Sequence, residues 1–358
     1  MTAEDPLFAS GNAEALLGRP LRQIPTQRGR EILEKSRVLV TGAGGSVGVS
    51  LVARLAQLPA TSIIALDHHE PSLFRLARDL PRAPLDLVLA DVRNAEKIDR
   101  VIREKRPDVV FHLAAYKHVP FSEYGPDEFV AVNVLGTESL AQACLAHGTQ
   151  HFVYPSSDKA VNPPSAYGST KRIAETLLLA LAARDPRMGI HIVRFVNILG
   201  SAGSMSETLA QRARSGGVVP LTDPRMTRYW MAMDEAIDVL WHSLALQSGS
   251  RSVMDVGESI PVTTMAERLF QAVLGHDARP EFVDVGVRPG ERLFEELASA
   301  SESLDRENDA AVFRILCEAE EEQRDIIDGG LSELRNLLAC NDQVSLHHRM
   351  TELARQLQ

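Results

Sequence analysis

The chain has 358 residues, of which 38 are Lys or Arg and 48 Asp or Glu, for a formal net charge of −10; 44% of it is hydrophobic and 24% charged. At about 150 residues per domain there is room for two domains, or for one large α/β unit with an appendage, and the composition excludes collagenous and wholly disordered chains. The acidic balance argues against nucleic acid as a partner, since that role draws on a basic face, so any anionic ligand must be held locally.

Residues 1–35 form an N-terminal segment. Its first 20 residues carry Glu4 and Asp5 and lack the continuous apolar core of a signal peptide. From Ser36 onward, apolar runs alternate with stretches of helical period. Strands are predicted at 37–42, 62–67, 85–91, 108–115, 151–157 and 190–198. Near-continuous hydrophobicity is what strands covered on both faces require, and alternation with helices indicates right-handed βαβ units. The expected fold is therefore α/β, a Rossmann-like doubly wound parallel sheet over residues 36–200. After Gly200, Gly and Pro break the pattern, and residues 201–300 are expected to form mostly a smaller substrate-binding lobe interleaved with elements of the sheet domain. Residues 301–358 read as a helical tail, with an acidic stretch "EAEEEQRD" as a solvated face and an interruption at Asp328-Gly329-Gly330. The richest apolar run, "ETLLLALAARD", is too short to cross a bilayer. Cys144, Cys317 and Cys340 are too sparse for a disulfide framework or a zinc site, which suits a reducing compartment; a cytoplasmic protein is expected. His112, His118 and the His347-His348 pair have no ligands at metal spacing and read as packing or surface residues, so no metal is expected.

Two motifs carry chemistry. In "VLVTGAGGSVGVSLVARLAQ" a strand, a tight turn and a helix follow one another, with Gly42, Gly45 and Gly48 at three-residue intervals and Ser46 and Val47 opening the helix. Such a turn lets the backbone approach a pyrophosphate and aims N–H donors at it. Asp67 closes the next strand, where a carboxylate binds ribose hydroxyls and repels a 2′-phosphate, so the expected cofactor is NAD. Asp91 and Val92 end the third strand, and Ala114 and Ala115 the fourth; they complete the expected cofactor wall, with Asp91 placed to hydrogen-bond the adenine amino group and an exposed loop acid as its alternative reading. In "YPSSDKAVNPPSAYGSTKRIAE", Tyr167 and Lys171 lie four apart on one helical face. A phenol ionises near pH 10 and serves as a base near neutrality only beside a cation, a place Lys171 fits. Ser156 or Ser157 is placed to hydrogen-bond the same reacting hydroxyl.

Together the glycine turn and the Tyr-x-x-x-Lys pair resemble the extended short-chain dehydrogenase/reductases that act on nucleotide sugars. More narrowly, "HLAAYKHVPFSE", "NVLGT", "SSDKAVNPPSAYGSTKRIAE", "RFVNILGSAGS", "PRMTRYWM" and "VRPGERLFEEL" resemble the UDP-N-acetylglucosamine 4,6-dehydratases of polysaccharide biosynthesis, collinearly over about residues 36–297. The segment "EALLGRPL" resembles the linker that precedes this domain in membrane-anchored relatives, making the chain similar to a soluble version. The resemblance implies a UDP-sugar substrate, a homo-oligomer, and a set of site residues. Lys117 would contact ligand and cofactor, Asn133 the cofactor, and Asn197 the substrate. Arg228 and Arg288 would contact the substrate phosphates, with Glu291 orienting their loop. Asp158 would be the acid and Lys159 the base of the elimination, with Asp158 kept protonated and Lys159 neutral; the two share a site only if the chain has already left the strand. Ser157, Val196, Ala202 and Trp230 depart from the family pattern, and all but Ser157 are expected around the sugar pocket. Read without the resemblance, Asp158-Lys159 is an ordinary surface pair and each arginine a solvated ion-pair partner. A nucleotide-sugar 4-epimerase and a non-catalytic NAD-binding regulator are the rival functions.

Overall fold

Seven strands that need cover on both faces set the architecture. In the computed structural model, which describes residues 5–59, 61–306, 311–317 and 320–358, six of them fall on the predicted runs. They are β1 (Arg37–Thr41), β2 (Ser62–Asp67), β3 (Leu85–Leu89), β4 (Val109–His112), β5 (His151–Ser157) and β6 (Gly189–Phe195). All pair in parallel in the order β3-β2-β1-β4-β5-β6. The order reverses between β1 and β4, and ligands of such sheets bind outside the carboxyl ends at that point. β3, β4 and β6 stop before the predicted ends because the residues that follow leave the ladder and turn toward that crevice.

After β6 come β7 (Asn197–Ile198), β8 (Val219–Leu221), β9 (Thr227–Arg228) and β10 (Trp230–Met231), then β11 (Ser250–Met254), β12 (Ile260–Pro261) and β13 (Phe282–Asp284). β7 pairs with β10, β8 with β13 and β9 with β12, and with helices Met205–Ser215 and Val262–Leu274 they build the smaller lobe. β11 returns to the main sheet as its seventh parallel strand, beside β6. Helix Ser10–Leu17 belongs to the small lobe too: Ala13, Leu16 and Leu17 share a core with Met265, Leu269 and Phe270, and Arg19 places both guanidinium nitrogens on the Glu235 carboxylate at 2.6 and 3.0 Å.

The expected all-helical tail is corrected. Residues 302–317 contain an antiparallel hairpin, β14 (Glu302–Arg306) and β15 (Val312–Cys317), that extends the sheet beyond β11. β15 buries Val312 on one face and Ile315 on the other, too short a signal to stand out in sequence. Helices Glu320–Ala339 and Gln343–Gln356 follow. The first runs unbroken through Gly329-Gly330, where an interruption was expected; a Cβ at Gly330 would lie 2.5 Å from the Leu353 side chain, so the glycine serves a close helix crossing rather than a break. The first two residues of "EAEEEQRD" lie outside the described residues, and Gln323 within it is buried. The run Pro126–Ala146 is long and apolar enough to cross a membrane by length and composition, yet 67% of that window is buried inside the protein, against the sheet.

A buried ion network locks the hairpin to the sheet. Glu302 accepts from Arg172 at 2.7 Å, from Arg194 at 2.7 and 2.8 Å and from Arg251 at 2.8 Å, while Arg194 also grips Glu175 at 2.7 and 2.9 Å. Burial works against the Glu302 carboxylate, but hydrogen bonding to Arg194 and the charges of the three arginines hold it far below the usual carboxylate range. Removing one member leaves buried charges unpaired, so we expect Glu302→Ala to lower stability by about 3–5 kcal/mol in urea unfolding. Because the folded-state value is depressed, this contribution is present above the usual glutamate pKa of about 4.3 and is lost as pH falls below it. Equal unfolding midpoints for the variant and the parent at pH 7 would contradict the assignment.

Candidate active site

β1 ends at Thr41, and Gly42 takes φ +66°, a left-handed conformation that turns the chain into helix Ser46–Leu55. Side chains are excluded there: a Cβ on Gly42 would lie 2.8 Å from the Ala114 amide nitrogen, and one on Gly48 2.2 Å from the Gly42 carbonyl. The Asp67 carboxylate stiffens the turn, accepting from the amides of Gly44 and His69 at 2.9 Å each. Asp67, Asp91, Val92 and Ala114 line a compartment of about 270 Å³, in which Asp91 is anchored by Arg93 at 2.6 Å. Hydrogen bonding to Arg93 holds the Asp91 carboxyl below its usual range against partial burial. Gly42, Gly45 and Ala115 also line a larger cavity of about 1240 Å³, which reaches Ser46, Val47, Gly48, Lys117, Ser156, Ser157, Lys159, Tyr167, Lys171, Asn197, Arg288 and Glu291. The side-chain-free cradle and the paired compartments fit a dinucleotide, with room beside it for a second ligand.

Tyr167 and Lys171 enter this cavity from the first turns of helix Ala166–Arg184, whose N-terminus Ser165 caps by accepting from the Gly168 amide at 3.1 Å. Lys171 makes no hydrogen bond to the Tyr167 phenol in this structure. Its Nζ donates to the Pro155 carbonyl at 2.9 Å and sits 4.5 Å from the centre of the Tyr154 ring, and burial pushes its pKa down to about 7. Burial pushes the Tyr167 phenol up; the Lys159 ammonium, followed by a hydrogen bond with Ser157, draws it back. The cation beside the candidate base is therefore Lys159. Ser156 Oγ is buried on the cavity wall without a hydrogen-bond partner.

Lys159 is reached because β5 ends at Ser157 and a 3₁₀ turn, Asp158–Ala160, takes over, letting adjacent side chains converge. Asp158 Oδ1 accepts from Ser157 Oγ at 2.9 Å and from Lys159 Nζ at 3.1 Å, and Oδ2 is buried without a partner. Only Lys159 faces the cavity, with 19% of its side chain exposed against 0% for Asp158. The expectation of a neutral Lys159 is corrected: burial lowers its pKa, but Asp158 and then Glu295 outweigh it and push the value up to about 12.

Two other expected contacts move. Asn133 does not line either compartment; its amide is spent on the Tyr116 amide and carbonyl, at 2.9 and 3.0 Å, and on Thr170 at 3.1 Å, so it pins the loop after β4 to helix Ala166–Arg184. Arg228 is buried behind the site, its guanidinium donating to the carbonyls of Thr227, Leu293 and Arg292 at 2.7, 3.2 and 2.9 Å, which leaves Arg288 as the predicted arginine on the cavity. Trp230 is core rather than pocket, whereas Val196 and Ala202 do line the cavity. Sequence reading took His118 for a packing or surface residue and passed over Thr222, Arg212 and Glu295. The first three line the cavity, but Thr222 and Arg212 lie in no motif and only the fold delivers them. His112 is a packing residue, bonded to Thr41 at 2.8 Å and Thr137 at 2.9 Å, and burial holds it neutral with a pKa of about 3. Among the described residues no cluster of three His, Cys, Asp or Glu could hold a metal.

A glycine-turn cradle and a Tyr-x-x-x-Lys helix meeting at the switch point of a parallel sheet define an extended short-chain dehydrogenase/reductase. A family profile described as "Polysaccharide biosynthesis protein" matches residues 38–316, and the chain belongs to that family. It is 38% identical to the capsular polysaccharide biosynthesis protein CapD of Staphylococcus aureus over 81% of this chain and 49% of that protein, so it spans about half the length of that relative. It is 29% identical to a UDP-N-acetylglucosamine 4,6-dehydratase (inverting) of Campylobacter jejuni over 76% of this chain and 80% of that one, and 30% identical to a UDP-glucose 4-epimerase of Rickettsia conorii over 78% and 82%. Among solved structures, the dTDP-glucose 4,6-dehydratase DesIV of Streptomyces venezuelae, with NAD bound, shares the fold at a TM-score of 0.63 and 24% identity over 72% of this chain and 86% of that one.

The Lys159–Tyr167 pairing is directly measurable. Since the Lys159 ammonium favours the phenolate, Lys159→Met should move Tyr167 ionisation to higher pH in tyrosinate absorbance titrations of the cofactor-free protein, with Tyr167→Phe as baseline. An unmoved titration would reassign the cation.

Proposed function

We propose that the chain is an NAD-dependent UDP-sugar 4,6-dehydratase, converting a UDP-N-acetylglucosamine-like substrate to the 4-keto-6-deoxy sugar. The observation that carries this reading is that Lys159 lines the same cavity as Tyr167, its Nζ backed by Asp158 at 3.1 Å. An epimerase needs a base only at C4, whereas a second charged proton carrier is what elimination across C5 and C6 demands.

Gly42, Gly45, Ser46 and Gly48 would cradle the cofactor's pyrophosphate and Asp67 its ribose hydroxyls. Held there, NAD would supply reversible hydride chemistry between C4 and C6, so no second substrate is needed. Tyr167 takes the proton of the C4 hydroxyl, Ser156 offers that oxygen its unpartnered hydroxyl, and Lys171 lies next to the cofactor wall. The 4-keto group acidifies C5–H, and Lys159 is the residue on the wall equipped to move protons at C5 and C6. Arg288, and with it Arg212, would hold the diphosphate. A cytoplasmic location and a homo-oligomeric state belong to the same reading, the first supported by the sparse free cysteines.

In deuterated water, UDP-N-acetylglucosamine should give a 4-keto-6-deoxy product labelled at C5 without net build-up of reduced cofactor, as read by product NMR. A product epimerised at C4 with no solvent label would establish the epimerase instead, and NAD binding without turnover of any UDP-sugar the regulator. Tyr167→Phe should lower kcat by about 10²–10⁴-fold while leaving NAD affinity nearly unchanged. Calorimetry should show NAD bound at least about tenfold more tightly than NADP, because the 2′-phosphate would face the Asp67 carboxylate; equal affinities would remove that role.

A further inference from the structure

The resting charge of Lys159 poses a chemical problem, because an ammonium cannot remove the C5 proton. Its solution lies on the segment that follows β13. Arg288 and Glu291 line the cavity at one end of that segment. Next, Arg292 donates to the carbonyls of Val161 and Asn162, Leu293 accepts from the Thr227 amide at 3.0 Å, and Glu296 accepts from Asn162 Nδ2 at 2.8 Å. Held on both sides, Glu295 turns inward with 5% of its side chain exposed, and its Oε1 lies 3.5 Å from Lys159 Nζ and 3.7 Å from Arg228 Nε. Lys159 Nζ is therefore flanked by two carboxylates, and Arg228 is fixed by three backbone carbonyls.

We propose that Glu295 is the proton partner of Lys159, a positioning residue that stores one proton of the ammonium while Lys159 works on the substrate. This rests on the dehydratase reading above. Once Tyr167 has taken the C4 proton and the phenolate no longer needs the ammonium, a proton passes from Lys159 Nζ to Glu295 Oε1. The free amine takes the C5 proton, the C5–H electron pair becomes the C5–C6 π bond, and the C6–O bond breaks. The regenerated ammonium gives its proton to the departing oxygen, which leaves as water. Once C6 is reduced, Glu295 returns its proton through Lys159 to C5. The proton that Tyr167 took from the C4 hydroxyl then recharges the pair, and the balance closes.

The surroundings suit a carboxyl that accepts a proton. Burial pushes Glu295 above the usual glutamate range; Asp158 adds to this, while Lys159, Arg228 and Arg292 oppose it. The charged and titratable groups acting on Lys159 are Asp158, Glu295, Arg228 and Tyr167, so Glu295 is the carboxyl facing it that is not already committed to Ser157.

The test uses Glu295→Gln and Glu295→Asp in the full chain with NAD and UDP-N-acetylglucosamine in deuterated water. Glu295→Gln should slow C5 labelling and dehydration by about 100-fold or more. Formation of reduced cofactor in the first turnover should fall far less, so that a reduced-cofactor intermediate builds up. The limb of the kcat–pH profile set by Glu295 should disappear, and Glu295→Asp should recover part of the rate. Labelling by Glu295→Gln within a few-fold of the parent overturns the proposal, and so does an equal loss of C4 oxidation, labelling and NAD affinity, which marks a merely structural residue. If the parent chain makes no 4-keto product, the dehydratase reading falls by itself, and an infrared titration of the cofactor-free protein then decides on Glu295. A carboxyl band absent from Glu295→Gln that titrates above the usual glutamate range supports the proton store, and no such band overturns it.

Discussion

One ammonium group, that of Lys159, organises the candidate site. It sits where β5 gives way to a 3₁₀ turn, 3.1 Å from Asp158 and 3.5 Å from Glu295, and its charge is what draws the buried Tyr167 phenol toward ionisation. A buried ammonium is costly unless paired, so its two carboxylates are conditions for its presence on the wall. Tyr167, Lys159 and the cofactor cradle thus share one electrostatic problem, which the fold solves by bringing a residue from well beyond the sheet's first six strands back to its fifth strand.

That return path explains much of the C-terminal half. Residues 288–297, a strap that carries Glu295, end five residues before β14 at Leu297, whose carbonyl accepts from Arg194 at 3.2 Å, and the Glu302 network fixes that strand against the helix carrying Tyr167 and Lys171. The two terminal helices pack on the same helix, and Arg172, which holds Glu302, also donates to the Leu357 carbonyl. Stability elements and site elements are therefore joined at helix Ala166–Arg184: the residue next to Lys171 is the arginine that anchors the tail. At the other end of the cavity, Ser46 Oγ accepts from the Ala202 amide at 2.8 Å, tying the small lobe to the glycine turn.

Local pattern carried the parallel strands, the glycine turn and the catalytic helix, because each is specified by residues adjacent in sequence. Asp158 and Lys159 were singled out by the family resemblance, and local geometry added the requirement that the chain leave the strand before them. Charge states were not. Whether Lys159 rests as an ammonium depends on Glu295, 136 positions away, and whether Arg228 is free depends on carbonyls of a strap without regular structure. The same limit applies to Asn133 and to Lys171, whose partners, the Tyr116 backbone and the Pro155 carbonyl, are set by tertiary packing. The β14–β15 hairpin was missed because an edge strand with few buried side chains reads like a solvated helix, and Gly329-Gly330 because close helix packing and helix termination use the same residue.

The most direct measurement is a crystal structure of the Tyr167→Phe variant with NAD and UDP-N-acetylglucosamine, in which the ground-state complex persists. We expect the hexose C4 hydroxyl to face residue 167 and the C5–C6 edge to lie against Lys159 Nζ, within about 3.5 Å of the hydrogen or oxygen to be moved, with the diphosphate at Arg288. A sugar ring whose C6 points away from Lys159, with nothing but the C4 edge presented to charged side chains, would contradict an elimination site built on that ammonium.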